Sequence, residues 1–254
     1  MSAPSVRRIL RSLANRLSGG APSSIGLQPI EGAVSESLST GWQNQSIALR
    51  QQTAFASVLQ NLREGKVRQD FRALAAAVDN TQTTNPTVLE IGSGSGWNAE
   101  VLSLLLKRPV RYIGMDYSQA MIDLGRRSYP TLEFAVGDAT QLPFASASCD
   151  VLIFGTVLMH LSDYAGAIAE GRRVTRQWGV FHTVPTLKGS TQTFQKLAYG
   201  VPVVEIVFGE AELLELFRRN GFSVQEMFDS LPHPYLNKAL QQTVAVRTFL
   251  CKTF

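Results

Sequence analysis

The stretch VLEIGSGSGW, Val88–Trp97, runs three aliphatic residues and one carboxylate into glycines at every second position. A β-forming run, a glycine turn and then helical spacing make the first β–α unit of an α/β sheet. Glycine lets a ligand lie against bare main chain and takes positive φ without strain. The helix that follows offers unpaired N–H groups and the positive end of its dipole. A dinucleotide loop needs a glycine three places after its second one, and Trp97 stands there instead. The pattern is Glu90-x-Gly92-x-Gly94-x-Gly96.

Outward from this loop the chain alternates. Strands are expected at 87–91, 110–115, 132–136, 151–154 and 180–184, and then at 222–227 and 244–250. Helices fit 98–107, 119–128, 164–175 and 211–220. Alternation of this kind predicts a doubly wound, mainly parallel α/β sheet covered on both faces. The last two of its seven strands have no helix between them and read as a terminal antiparallel pair. Upstream, residues 43–63 and 67–78 carry helical spacing. The expected organisation is a basic arm and linker (1–30), a helical lid segment (31–84) and a ligand-binding domain (85–254) with a cap insertion at about 185–210.

The chain has 24 basic and 20 acidic residues, and the excess lies at one end. Arg7, Arg8, Arg11 and Arg16 fall among the first 30 residues, which contain no acid, so the rest of the chain is balanced. A balanced domain does not read as a nucleic-acid binder. In the arm, Val6, Leu10, Leu13 and Leu17 share a helical face. Three readings stay open for it: a terminal helix, frayed or docked on its own domain; contact with a membrane or partner through residues 1–20; and targeting. Cys149 and Cys251 lack CxxC spacing, which argues against zinc and for a reducing, cytoplasmic setting. No metal site is expected.

The glycine pattern resembles the first motif of class I S-adenosylmethionine-dependent methyltransferases of the small-molecule type, and further pieces extend the resemblance to the C-terminus. It implies a Rossmann-like methyltransferase fold with N-terminal helices, and S-adenosylmethionine as donor. In "YIGMDYS", Asp116 ends the second strand, where a carboxylate accepts from ribose hydroxyls. Tyr117 and Met121 would lie against the adenine, and Ser118 is placed to cap the next helix. In "VGDATQLPF", the resemblance gives Asp138 the adenine amino group and the Ala139 N–H a ring nitrogen. Gly155 ends the fourth strand beside the expected methyl, and Asp150 at its far end reads as structural. Two roles are open for Glu90: attracting the donor's ammonium, or accepting N–H bonds from the loop and holding the turn. The second is preferred. Gly92, Ser93, Gly94 and Gly96 would form the cradle itself.

Methyl transfer from a sulfonium is an in-line displacement, so the protein aligns, excludes water and removes a proton where the acceptor is a hydroxyl. His182, at the end of the fifth strand, is the first candidate base, and His160, after the fourth, the second. His233 reads as loop structure. Lys196, Tyr199 and Glu205 in the insertion are candidate acceptor contacts, and Trp42 a lid residue over the cleft. The expected acceptor is a small molecule, a saccharide or a lipid-linked group, with oxygen as the preferred target because of His182. A catalytically silent donor-binding partner subunit and a nicotinamide oxidoreductase are the alternatives. Oligomeric state is not legible.

Overall fold

The computed structural model describes residues 27–254, so the amphipathic and basic pattern of the arm lies outside the described residues. In chain order the elements are β1 (Gln28–Pro29), α1 (Glu36–Ser39), a 3-10 turn (Gly41–Gln43), α2 (Gln45–Arg63) and α3 (Gln69–Asn80). Then come β2 (Thr87–Ile91), α4 (Trp97–Leu105), β3 (Arg111–Asp116), α5 (Gln119–Ser128), β4 (Glu133–Val136) and β5 (Cys149–Gly155). The chain closes with α6 (Tyr164–Val174), β6 (Thr175–Leu187), β7 (Gln192–Ala198), β8 (Val201–Gly209), α7 (Glu210–Arg219), β9 (Phe222–Asp229), β10 (Tyr235–Asn237) and β11 (Gln242–Thr253).

Seven strands form the expected sheet, with neighbours β4-β3-β2-β5-β6-β11-β9. The first five run parallel, and β11 enters antiparallel between β6 and β9. Strand order reverses between β2 and β5, the switch point at which such sheets bind ligands. The sheet is larger than seven strands, however. The stretch expected as an insertion is the hairpin β7–β8, and β1 and β10 add further, giving eleven strands.

The strands show the period of two that places neighbours on opposite faces. Leu89, Leu152, Phe154 and Phe181 pack on one face with Phe217 of α7. Val88, Val151, Ile153 and Val180 pack on the other, with Val58, Leu62, Phe71 and Leu74 from α2 and α3. Phe181 stacks at 4.1 Å on Phe217 and 5.1 Å from Phe154, so the first face is largely an aromatic stack. This two-sided burial makes the central strands continuous apolar runs and holds the carboxyl ends of β2, β3 and β5 rigidly side by side.

The strand β6 changes partners along one edge. Its pairing with β5 stops at Gly155–His182, and β8 begins at Thr186–Phe208. Residues 183–185 lie in the gap. The hairpin turn is Tyr199-Gly200, with φ of 52° and 85°, the two positive values of a type I′ turn. The segment before α2 seats on this hairpin. Gly41 has no room for a side chain, since a Cβ there would lie 2.3 Å from the Pro202 carbonyl oxygen, and Arg50 donates to the Tyr199 carbonyl.

Candidate functional site

The loop after β2 is built on left-handed glycines: φ is 70° at Gly92, 54° at Gly94 and 86° at Gly96. Each also lacks room, a Cβ meeting Val157 at 2.3 Å, Trp97 at 2.8 Å and Phe134 at 2.6 Å respectively. Gly96 is the residue that caps α4. Asp116, at the end of β3, braces the loop from the next strand. Its Oδ2 accepts from the Gly94 N–H at 2.9 Å and its Oδ1 from the Ser118 N–H at 2.9 Å. Burial pushes the Asp116 carboxyl up, and the backbone bonds oppose this. Ser118 stands at the cap position of α5, but its hydroxyl makes no capping bond, and its own N–H donates to the Asp116 carboxylate.

Glu90 is fully buried under the loop, and its partners are side chains rather than loop N–H groups. Asn98 Nδ2 donates to Oε1 at 2.6 Å and the Tyr112 hydroxyl donates to Oε2. It thus ties the first turn of α4 to β2 and β3, which corrects the expected backbone contact. The cause is reach: a side chain at the penultimate strand residue lies closer to the helix than to the turn's apex. Burial pushes this carboxyl up to about 7, with the hydrogen bonds from Tyr112 and Asn98 pulling down and Asp116 pushing up. Gly155 of β5 makes room for it, since a Cβ there would lie 1.8 Å from Glu90 Oε1.

Above these strand ends lies a cavity of about 650 Å³. Of the expected donor contacts, Gly92, Gly94, Asp116, Tyr117, Met121, Asp138, Ala139 and Gly155 line it, while Glu90, Ser93 and Gly96 lie behind the wall. Asp138 is exposed, and its Oδ1 accepts from the Thr140 N–H and hydroxyl at 2.7 Å. The Tyr117 hydroxyl donates to the Ser39 carbonyl, fastening the segment that carries Trp42 to the end of β3. Trp42, His160, Lys196, Tyr199 and Glu205 line it as well. Trp42 packs 4.8 Å from the His160 ring and 6.3 Å from Tyr199, and Lys196 forms a buried ion pair with Glu205. His160 Nδ1 bonds the Val204 carbonyl at 2.8 Å. Away from the cavity, Asp150 accepts from the Thr87 N–H and pairs with Arg176, and His233 lies exposed in a loop.

His182 reaches the cavity through a β-bulge. On β11, Arg247 pairs with Val184 and Phe249 with Phe181, so His182 and Thr183 together oppose Thr248 alone. The extra residue, Thr183 with φ 55°, brings two consecutive side chains into the same cavity. His182 Nδ1 bonds Thr248 Oγ1 at 2.9 Å, and Thr248 Oγ1 bonds Ser230 Oγ at 2.9 Å. Burial holds the imidazole well below its usual value, at about 4, with Asp70 raising it and Arg68 lowering it. Arg68 and Asp70, at the start of α3, form an ion pair and line the cavity beside it. Arg68, Asp70, Ser230 and Thr248 are not among the residues expected at the site. Nothing in local spacing marks them, because they meet His182 from elements far along the chain. Among the described residues, no cluster of His, Cys, Asp or Glu could hold a metal ion, and no helix is long and apolar enough to cross a membrane.

A doubly wound sheet with this glycine loop and three carboxylates on successive strand ends fits the expected class I methyltransferase domain. Residues 89–183 match the family model described as "Methyltransferase domain". A "probable S-adenosylmethionine-dependent methyltransferase" of Mycolicibacterium smegmatis is 34% identical over 139 residues, 55% of this chain and 52% of that protein. A demethylmenaquinone methyltransferase of Renibacterium salmoninarum is 33% identical over 92 residues, 36% of this chain and 38% of that protein. The match thus spans about half, or less, of the length of these relatives. Among solved structures, 1,6-didemethyltoxoflavin-N1-methyltransferase of Burkholderia thailandensis, with S-adenosylhomocysteine bound, has TM-score 0.59 at 17% identity, covering 90% of this chain and 95% of that one. Magnesium protoporphyrin IX methyltransferase of Synechocystis gives 0.59 at 14% identity, covering 89% and 100%; both likenesses establish the fold. Residues 89–183 thus carry a methyltransferase domain, similar to those of S-adenosylmethionine-dependent methyltransferases.

Proposed function

We propose that the protein transfers a methyl group from S-adenosylmethionine to a hydroxyl of a small molecule enclosed in the cavity. One observation carries the donor: the cavity is lined by Asp70, Asp116, Asp138 and Glu205 against only Arg68 and Lys196 as cations, each of which is paired to a carboxylate. Such a wall suits a cationic ligand without phosphate. Asp116 would hold the ribose, Asp138 and the Ala139 N–H the adenine, and Tyr117 and Met121 its faces. Buried Asn98 Oδ1, with no hydrogen-bond partner among the described residues, is an acceptor suited to an ammonium group, and Glu90 fixes it there. S-adenosylmethionine supplies a methyl on a positively charged sulfur.

The chain's own part is to align, dry and deprotonate. Trp42 and the hairpin close the acceptor side away from water. With the proton on Nδ1, His182 donates to Thr248 Oγ1, Thr248 donates to Ser230 Oγ, and Nε2 is left as the proton acceptor. At neutral pH this imidazole is uncharged and ready, though a weak base. The demethylmenaquinone methyltransferase and the Burkholderia thailandensis enzyme act, by their names, on small molecules, which supports the same acceptor size here.

Calorimetry with S-adenosylhomocysteine tests the donor. Binding in the micromolar range is expected, and no heat from folded protein at millimolar ligand would reject the reading. Once an acceptor is in hand, His182→Ala should lower kcat by about 10²- to 10⁴-fold, the usual contribution of a positioned base. Unchanged kcat at saturating acceptor would remove His182 from the chemistry.

A further inference from the structure

The acceptor half of the cavity holds a cation whose role the donor does not explain. Asp70 grips the Arg68 guanidinium along one side only: Nε donates to Oδ1 at 2.9 Å and Nη2 to Oδ2. Asp70 is itself fixed, its Oδ1 also accepting from the Phe71 N–H at 3.0 Å. The third nitrogen, Nη1, is buried and has no hydrogen-bond partner among the described residues. The Phe71 ring lies under the guanidinium at 5.1 Å. Arg68, Asp70 and His182 line one cavity, and both charges act on the imidazole. A guanidinium held on one edge with a spare N–H is a preformed oxygen site.

We propose that Arg68 is the anion-binding residue of the acceptor subsite, and that the reacting hydroxyl is that of a phenol or enol, held ionised between Arg68 and His182. This rests on the methyltransferase reading and narrows its acceptor. A neutral imidazole buried beside a cation is too weak to deprotonate an aliphatic alcohol. A phenol or enol lies many units closer, and Arg68 draws its ionisation closer still. Phe55, Phe71 and Trp97 give this cavity aromatic walls suited to a planar acceptor. In the reaction the hydroxyl proton passes to His182 Nε2 and on to solvent. The oxygen lone pair forms the bond to the methyl carbon, and the electron pair of the breaking C–S bond goes to sulfur.

The probe is 4-nitrophenol, whose ionised form alone absorbs strongly in the visible, titrated into protein saturated with S-adenosylhomocysteine at a pH where the free phenol is mostly protonated. The expected result is a phenolate band on binding, with affinity about tenfold or more above that of 4-nitroanisole, which has the same ring and no acidic proton. Arg68→Gln should remove the band and weaken the probe by about tenfold or more. Equal affinity for phenol and anisole, or an unchanged band in Arg68→Gln, overturns the proposal while the donor assignment stands. Failure of the wild type to bind S-adenosylhomocysteine is the separate result that overturns the methyltransferase reading. Should Arg68→Gln lose S-adenosylhomocysteine binding through misfolding, Asp70→Asn decides. It keeps the shape and frees more of the positive charge, so the band should persist or grow, and its loss in a variant that still binds S-adenosylhomocysteine overturns the assignment.

Discussion

Replacing Glu90 with Gln should stabilise the protein at alkaline pH. The carboxyl is buried beneath the glycine loop and titrates at about 7, against an ordinary value of 4.5. Between these two values the folded state keeps a proton that the unfolded chain has released. The stability from this proton is complete below about pH 4.5 and lost as pH rises through about 7. Two and a half units correspond to about 3 kcal/mol. Gln stays uncharged throughout. Its carbonyl still accepts from Asn98, and its amide can donate to the Tyr112 oxygen once that hydroxyl turns. The stability difference between Glu90→Gln and wild type should therefore be small near pH 5 and grow to about 3 kcal/mol at pH 8. Urea unfolding of both proteins across that range measures it, and carboxylates elsewhere cancel in the difference. A difference that does not change with pH, or a wild type more stable at pH 8, would refute the argument. The hydrogen bonds from Asn98 and Tyr112 would then outweigh the cost of burying the charge.

Two more outcomes follow from the same site. Gly155→Ala drives a methyl into the Glu90 carboxylate and should cost at least about 2 kcal/mol of stability through overpacking and a damaged hydrogen bond, read by urea unfolding; a loss under about half of that would mean the carboxylate relaxes freely. Thr248→Val removes the hydroxyl that positions His182. It should lower kcat several-fold with KM little changed, and Thr248→Ser should restore it; equal kcat in the Val variant would show that the imidazole needs no such anchor.

The elements most legible in the sequence are those whose pattern is set by their own neighbours. Strand β2 and helix α5 fall on the expected residues, because glycines or a polar turn bound each one. β6 runs from Thr175 to Leu187, well beyond 180–184, since partners on both edges carry it past its apolar centre. The hairpin escaped because its turn is Tyr-Gly, and Tyr in a left-handed conformation is not a turn signal. At the site, the glycine loop, Asp116 and Asp138 announce themselves by spacing from strand ends. The His182–Thr248–Ser230 chain does not, because a bulge assembles it between strands 66 residues apart. Arg68 and Asp70 read only as the polar start of a helix until folding sets them beside the imidazole.

The bulge gives this chain an unusual point of vulnerability. His182 faces the cavity because β6 is one residue longer than the stretch of β11 opposite it. One residue inserted beside Thr248 would restore even pairing and shift one flank of β11 by a half-period. Every side chain lining the cavity would keep its identity, yet the imidazole would lose its aim. Between close relatives, then, gain or loss of activity can be written as a difference in strand length alone, with no substitution at any functional residue.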